Sequence, residues 1–364
     1  MATNPSTDVR TLCVFLPNWI GDVVMATPTL RALRQRYPAP TRIIGVMRPY
    51  VAKVLAGVPW LDDHLYYDRH SRKPELSTNA LIRHLRAQRP DMAVLLSSSF
   101  QAAWAAWRSG ARRRIGHARN LRGLLLTDRG RAARQGGAAR GESPGLSTVE
   151  QYLQLAELAG CTQWERRVEL ATLPTDEAAV DLAWTNLGLH GRRVVLLNIN
   201  SAAADARLWP REHTQELARR LVAQTDVSVL LLCGPAEKEA TEQLEREISH
   251  PRVHSMARQD LGLSVSRAVL KRGDLLVTTD SGPRHIAAAF ATPTIVLFGP
   301  TSPQWTINYS PVEQGVSLGL SCQPCDRKTC PLLHHQCMRD LTPERVLQAV
   351  LERLPSRAAL AGGA

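Results

Sequence analysis

The chain has 364 residues, a net charge of +12 and a hydrophobic fraction of 44%. This length allows two domains with separate cores, and the composition is ordinary for a globular protein. The apolar runs are too short to span a bilayer, and the first ten residues lack the apolar segment of a secretory signal, so we expect a cytoplasmic protein. The basic charge favours nucleic acid, an anionic membrane or a phosphorylated substrate as the partner, without choosing among them.

Apolar and amphipathic stretches alternate along the sequence and predict alternating strands and helices. The predicted strands are residues 12–16, 42–47, 92–96, 114–115, 194–198, 227–232, 274–278 and 294–298. The predicted helices are residues 22–37 with a break near Pro28, 80–88, 101–108, 149–158, 176–187, 212–223, 236–248, 263–270 and 283–290. This alternation predicts an α/β protein with one doubly wound parallel sheet in each half. We set the domain boundary between residues 175 and 176 and expect a substrate cleft between the domains.

A short segment with a single acidic residue, Asp128, is rich in arginine. Trp104 and Trp107 precede it, at a spacing that places them on one helix face. One interpretation is a solvated helix end and a flexible basic loop. The other is a surface that meets a polyanion, such as a membrane.

Four of the seven cysteines cluster near the end of the chain, at Cys322, Cys325, Cys330 and Cys337. Their spacing is compatible with a structural zinc site in a reducing compartment, although it is tighter than in common zinc ribbons.

The most distinctive turn is at residues 278–289, where an apolar run ends in small polar residues followed by Gly-Pro and an Ala-rich stretch. This order predicts a buried strand followed by a helix. Pro283 suits the first helical position, and Gly282 permits close approach of a ligand. The amides of Ser281 and Gly282, together with the helix dipole, predict a phosphate site.

Three other turns follow predicted strands. In the first, Asp22 either caps the next helix or acts as a general base. The second contains the small residues Asn200 and Ser201 and leads to Arg207, which either binds phosphate or is solvated. In the third, Glu237 either caps a helix or binds a ribose. The Gly-x-Gly-x-x-Gly fingerprint is missing after the first strand of each half, which argues against a nicotinamide-dependent dehydrogenase.

The order of these motifs resembles that of the ADP-heptose:lipopolysaccharide heptosyltransferases, glycosyltransferase family 9. The matching segments are residues 17–22 (PNWIGD), 99–100, 114–116, 125–127, 149–152, 207–210 (RLWP), 280–289 (DSGPRHIAAA), 298–303 (FGPTSP) and 322–338. The resemblance extends from about residue 11 to about residue 350. Residues 19–22 and Ser99-Phe100 look most like heptosyltransferase II. The family usually has Lys where this chain has Arg207.

The resemblance implies a GT-B fold, in which two Rossmann-like domains face each other across a cleft, with the acceptor on the first domain and the donor on the second. It implies inverting heptose transfer from ADP-heptose without an obligatory metal in the active site. Asp22 would be the catalytic base, and Arg207 would neutralise the leaving diphosphate. The implied donor-binding residues are Asn200, Ser201, Glu237, Asp280, Ser281, Gly282 and His285. The implied acceptor-binding residues are Trp19, Ser99 and Arg114.

The expected partners are a nucleotide-sugar donor and an anionic glycolipid acceptor, and no nucleic acid. We expect the protein to be a monomer that acts at the cytoplasmic face of the inner membrane. One alternative is a related glycosyltransferase with another nucleotide sugar or acceptor. A second, from a different class, is a basic zinc-containing nucleic-acid-binding protein that uses the arginine-rich segment.

Overall fold

A computed structural model of the protein describes residues 9–68, 70–119, 121–131, 145–198 and 205–354. The described residues divide into two units. Those before residue 172, together with Trp305–Tyr309, form the first unit, and those of Thr172–Gln304 and from Ser310 onward form the second. The sequence analysis set the boundary after residue 175, whereas the structure sets it after Ala171 and assigns Trp305–Tyr309 to the first unit.

The first unit contains a sheet of six strands. They are β1 (Thr11–Phe15), β2 (Arg42–Met47), β3 (Asp63–Tyr66), β4 (Met92–Leu95), β5 (Arg113–His117) and β6 (Asp128–Gly130). All neighbouring strands are parallel, and their order is β3-β2-β1-β4-β5-β6. The order reverses direction between β1 and β4, and ligands of doubly wound sheets bind at such a switch point, beyond the carboxyl ends of the strands.

The second unit repeats this topology. Its strands are β7 (Val194–Asn198), β8 (Ser228–Leu231), β9 (Val253–Ser255), β10 (Leu275–Thr279), β11 (Thr294–Leu297) and β12 (Glu313–Val316). They are again parallel, in the order β12-β11-β10-β7-β8-β9. The switch point therefore lies between β7 and β10. Both sheets confirm the predicted doubly wound α/β class.

The helices that cover the two sheets are short to medium in length. They are α1 (Ile20–Met25), α2 (Thr27–Arg36), α3 (Pro49–Val54), α4 (Thr78–Gln88), α5 (Phe100–Arg108), α6 (Thr148–Leu158), α7 (Pro174–Asn186), α8 (Arg211–Gln224), α9 (Lys238–Ile248), α10 (Leu263–Arg272), α11 (Gly282–Ala289), α12 (Gln336–Arg339) and α13 (Pro343–Arg353). Within the described residues, no helix is both long and apolar enough to cross a membrane. The break predicted near Pro28 occurs at Ala26, which separates α1 from α2.

Burial explains which strands the sequence reveals. Every residue of β1, β4, β8, β10 and β11 is buried, as expected for parallel strands covered on both faces. The four strands that the sequence analysis missed are β3, β6, β9 and β12. These are the edge strands of the two sheets, and they contain exposed or half-exposed polar residues that interrupt the apolar pattern.

Candidate functional site

A cavity of about 200 Å³ lies beyond the carboxyl ends of β1 and β4, at the switch point of the first sheet. It belongs entirely to the first unit. Its lining residues are Pro17, Asn18, Trp19, Asp22, Leu96, Ser97, Ser98, His117, Arg119, Thr148, Gln151, Tyr152 and Trp305. Trp305 is positioned by α6, because the backbone amide of Thr148 donates to its carbonyl oxygen at 3.0 Å.

Asp22 lies in the first turn of α1, whose N-cap is Trp19. Asp22 is therefore a residue of the first helical turn and not the N-cap, which the sequence analysis gave as one alternative. Asp22 is half-buried at the cavity wall. Tyr152 on α6 is close enough to be affected by it. Burial, followed by the Asp22 charge, raises the pKa of the Tyr152 phenol well above its ordinary value, so this phenol stays protonated at neutral pH.

Two cationic or potentially cationic groups share this cavity. Arg119 is partly buried, and its guanidinium donates to the side-chain oxygen of Gln151 at 3.4 Å. Burial, followed by the charges of Arg119 and Arg122, lowers the pKa of His117, so its imidazole is neutral. The cavity therefore combines one carboxylate, one guanidinium and neutral donors, a set that can bind a polar acceptor and remove a proton from a hydroxyl group.

The structure separates the three residues that the sequence analysis grouped as acceptor-binding. Trp19 is 66% exposed and lines the cavity with Asp22. Ser99 instead caps α5, accepting from the amide of Ala102 at 3.1 Å, and lines a neighbouring cavity of about 90 Å³. Arg114 is outside both cavities and donates to the carbonyl oxygens of Ala111 and Leu125, each at 2.6 Å.

Sequence reasoning did not single out His117 and Arg119 as site residues. Both follow from the rule that located Asp22, because the loop after β5 reaches the same sheet edge as the loops after β1 and β4. Because this part of the chain contains many arginines, Arg119 does not stand out from them as a site residue in the sequence.

The second unit places the Asp280 turn at the matching position of its own sheet. β10 ends at Thr279 and α11 follows it, which confirms the predicted strand and helix. Ser281 is the N-cap and Gly282 is the first helical residue, so the helix begins one residue before the predicted start at Pro283. The backbone amides at the start of α11 are thus presented at the switch point, where an anion is favoured by the helix dipole.

Asp280 is held by a buried ion-pair network. Its carboxylate contacts the Arg284 guanidinium at 2.6 Å, and the same guanidinium contacts Glu313 on β12 at 2.6 Å. Arg284 is 1% exposed and also lies 4.8 Å from the centre of the Phe298 ring. Burial raises the pKa of the Asp280 carboxyl, but Arg284, His285 and Arg207 outweigh this effect and hold that pKa below its ordinary value. Asp280 is therefore ionised, and its side chain has a fixed position.

Arg207 and His285 complete this cluster. The guanidinium of Arg207 donates to the carbonyl oxygen of Asp280 at 2.8 Å, which places a positive charge beside the start of α11. Burial and the charge of Arg284 lower the pKa of His285 to about 3, so its imidazole is neutral. Its Nδ1 atom is buried and has no hydrogen-bond partner among the described residues. Such an atom is available to a bound ligand.

One other predicted donor-binding residue, Glu237, is not part of this cluster. Glu237 lies in the turn after β8, where its carboxylate accepts from the amide of Gly234 at 2.8 Å and so stabilises that turn. Asn200 and Ser201 lie outside the described residues. The structure thus brings together Arg207, Asp280, Ser281, Gly282 and His285.

The four late cysteines are free thiols. Burial and the other three cysteines raise the pKa of Cys337 to about 11. Among the residues that the structure describes, no group of three or more His, Cys, Asp or Glu side chains is arranged to hold a metal ion. The geometry therefore does not support the predicted zinc site at Cys322, Cys325, Cys330 and Cys337.

The known proteins that are similar to this chain in sequence and structure include several heptosyltransferases. A lipooligosaccharide heptosyltransferase 2 of Campylobacter jejuni is 29% identical over 44% of this chain, and the match spans 50% of that protein. A lipopolysaccharide heptosyltransferase 2 of Salmonella typhimurium is 25% identical over 93% of this chain and 96% of that protein. The solved structure of E. coli ADP-heptose lps heptosyltransferase II is 23% identical, with a TM-score of 0.75 over 94% of this chain and 98% of that one.

The fold is therefore the GT-B fold, built here from two Rossmann-like α/β units. The family model of glycosyltransferase family 9 (heptosyltransferase) matches residues 78–336, which cover both the loops of the first cavity after β4 and β5 and the Asp280 turn. The chain belongs to glycosyltransferase family 9, the heptosyltransferase family.

Proposed function

We propose that this glycosyltransferase transfers L-glycero-D-manno-heptose from ADP-heptose to the inner core of lipopolysaccharide, with inversion at the anomeric carbon. The observation that carries the proposal is the cavity at the switch point of the first sheet, where the Asp22 carboxylate lies beside protein groups able to bind a polar acceptor. The names of the relatives, two of them type 2 heptosyltransferases and one a type II enzyme, support this substrate class.

In this proposal the first unit binds the acceptor. Asp22 accepts the proton of the acceptor hydroxyl as its oxygen attacks the anomeric carbon, a contribution typically worth about 10²–10⁴-fold in rate. Arg119 binds an anionic group of the acceptor, and Trp19 offers an exposed ring surface for sugar packing.

The second unit binds the donor. The start of α11 and the Arg207 guanidinium hold the diphosphate and stabilise the negative charge that develops on ADP as it leaves. His285 donates or accepts a hydrogen bond as a neutral imidazole, since the low pKa keeps it uncharged. Glu237, Asn200 and Ser201 complete the donor contacts in this proposal, and catalysis requires no metal ion.

We also propose that the protein acts at the cytoplasmic face of the inner membrane, because its acceptor is a membrane-anchored anionic glycolipid. The basic net charge is consistent with that acceptor. The nucleic-acid-binding alternative is not favoured, because the chain belongs to a glycosyltransferase family and the geometry does not support its zinc site.

The test is release of ADP from ADP-heptose with a defined, truncated lipopolysaccharide acceptor. Asp22→Asn should lower kcat by at least about 10²-fold, because an amide cannot accept the proton, and should leave the Kd for ADP within about twofold. Asp63→Asn, at an exposed carboxylate on β3 of the same unit, is the matched control and should retain wild-type kcat. Normal turnover by Asp22→Asn would exclude Asp22 as the base. Absence of ADP release by the wild-type protein with every heptose acceptor would exclude the proposed substrate pair.

A further inference from the structure

We propose that the outer face of α5 and the adjoining turn dock on an anionic lipid bilayer. This docking patch consists of Phe100, Trp104, Trp107, Leu121 and Leu124. This patch would be the surface that contacts the membrane in the proposed function, on which the inference therefore rests. The experiment below measures only binding to vesicles.

The small side chains of α5 face the core and its large aromatic side chains face solvent, whereas an ordinary surface helix buries its large apolar side chains. Its alanines at positions 102, 103, 105 and 106 are buried in the core of the first unit. Its large aromatic residues face outward instead, with Phe100 45%, Trp104 37% and Trp107 43% exposed. Because they are spaced by four and three residues, they lie on one face. The two indole rings contact each other, with centroids 5.1 Å apart, and do not enter the core.

The turn beside α5 adds two leucines to this face. The short helical turn Arg122–Leu125 packs against α5, and Leu121 and Leu124 are 91% and 89% exposed. The turn is firmly held, because the buried Arg122 guanidinium donates to the carbonyl oxygen of His117 at 2.8 Å and also to that of Ser97. Leu121 has φ +59°, a left-handed conformation that is unfavourable for a leucine. A fixed turn therefore presents both leucines to solvent.

The segment that contains the patch carries most of the excess positive charge of the protein. Residues 78–131 contain eleven arginines and two acidic residues, and so carry nine of the twelve excess positive charges of the protein. Both acidic residues already have partners. Asp91 accepts hydrogen bonds from the backbone amides of Arg10 and Thr11. Asp128 pairs with Arg113.

The basic side chains nearest to the patch lie on its rim. The Arg108 guanidinium is 5.8 Å from the Trp104 ring centre, and the Arg86 guanidinium donates to the Arg108 carbonyl oxygen at 2.8 Å. Exposed aromatic and leucine side chains beside arginines match an anionic membrane interface. The two most exposed side chains of the patch, Leu121 and Leu124, offer no ring for stacking on bases, which favours lipid over nucleic acid.

The patch also lies close to the proposed acceptor site. Ser99 caps the start of α5, and Ser97, which accepts from Arg122, lines the Asp22 cavity. A bilayer bound by the patch would therefore bring a lipid-anchored acceptor close to that cavity.

The test is sedimentation with vesicles of phosphatidylethanolamine and phosphatidylglycerol, compared with vesicles of phosphatidylcholine alone. The wild-type protein should bind the anionic vesicles, and added salt should weaken this binding. Trp104→Ala/Trp107→Ala and Leu121→Ser/Leu124→Ser should each weaken it by roughly tenfold or more. Arg86→Gln/Arg108→Gln should weaken it by about fivefold per charge and should not affect binding to phosphatidylcholine.

The matched control is Leu332→Ser/Leu333→Ser, which removes two leucines of the second unit that are 57% and 79% exposed. This variant should bind anionic vesicles like the wild type. All variants should keep wild-type kcat with a water-soluble truncated acceptor, which separates failure of docking from failure of the proposed function. Wild-type binding by both the tryptophan and the leucine variants, or no binding by the wild type, would overturn the inference. A dimer of the wild-type protein that both patch variants abolish would assign the patch to self-association and would also overturn it.

Discussion

Arg284 is the residue whose replacement has the most directly calculable effect. It lies between the carboxylates of Asp280 and Glu313, at 2.6 Å from each, and all three side chains are at least 87% buried. Arg284→Met keeps the unbranched stem and removes the guanidinium that pairs with both of these carboxylates. Removing one partner of a buried ion pair typically costs about 3–5 kcal/mol. For a unit of this size, that loss corresponds to a fall in Tm of roughly 6–20 °C.

The loss should depend on pH. In the wild type the pKa of Asp280 is lowered, so this carboxyl stabilises the fold above its ordinary pKa, and that contribution is lost as the pH falls. In Arg284→Met, the charge that lowers the pKa of the Asp280 carboxyl most is lost, and burial should then raise that pKa. The folded state then binds more protons than the unfolded state, and the variant loses stability as the pH rises. The gap in Tm between wild type and variant should therefore be larger at about pH 8 than at about pH 5.

Calorimetry of both proteins at these two pH values is the assay. Arg272→Met is the matched control, because Arg272 also pairs with carboxylates of the second unit but is 28% exposed. Its loss should stay below about 1 kcal/mol. If Arg284→Met lowers Tm no more than Arg272→Met, or equally at both pH values, the reasoning about buried charge is wrong.

Three further predictions follow from the two sites. Arg207→Ala should weaken ADP binding by roughly tenfold to a hundredfold in calorimetric titration, because it removes the cation beside the start of α11. An unchanged Kd would remove Arg207 from donor binding. Arg119→Ala should raise KM for an anionic acceptor by a similar factor with an unchanged Kd for ADP, whereas the exposed Arg129→Ala should change neither; equal kinetics for both variants would remove Arg119 from acceptor binding. His285 should remain neutral in an NMR titration across about pH 5–8, and its contribution to stability should be lost only as the pH falls from 6.5 toward about 3, so a midpoint near 6.5 in the folded protein would refute its burial as a neutral group.

The sequence predicted site residues best where they belong to a turn that is formed by neighbouring residues. The strand, turn and helix around residues 278–289 were predicted, with Pro283 near the start of the helix, because these residues form the turn with their own neighbours. Asp22 and Trp19 were likewise found from the turn after β1 and share a cavity. The assignment of Arg114 to the acceptor came from a motif match, whereas in the structure its guanidinium holds two carbonyl groups.

Residues that act across long sequence separations were not found. Glu313 pairs with Arg284 from an edge strand 29 residues away, and Trp305 reaches the Asp22 cavity from a segment adjacent in sequence to the second unit. The docking patch shows the same limit. Trp104 and Trp107 fit the spacing of a core stripe as well as that of a surface stripe, and only the packed sheet shows that the alanines between them face inward.

By itself, the sequence determined the eight inner strands and the main helices that alternate with them, because burial on both faces demands continuous apolar runs that can be read from neighbouring residues. Only the tertiary structure decided the edge strands β3, β6, β9 and β12, the order that creates the two switch points, and the partners of Asp280 and Asp22. An edge strand is defined by the strand that it pairs with, and a buried charge is defined by a partner distant in the chain. Neither leaves a local pattern in the sequence.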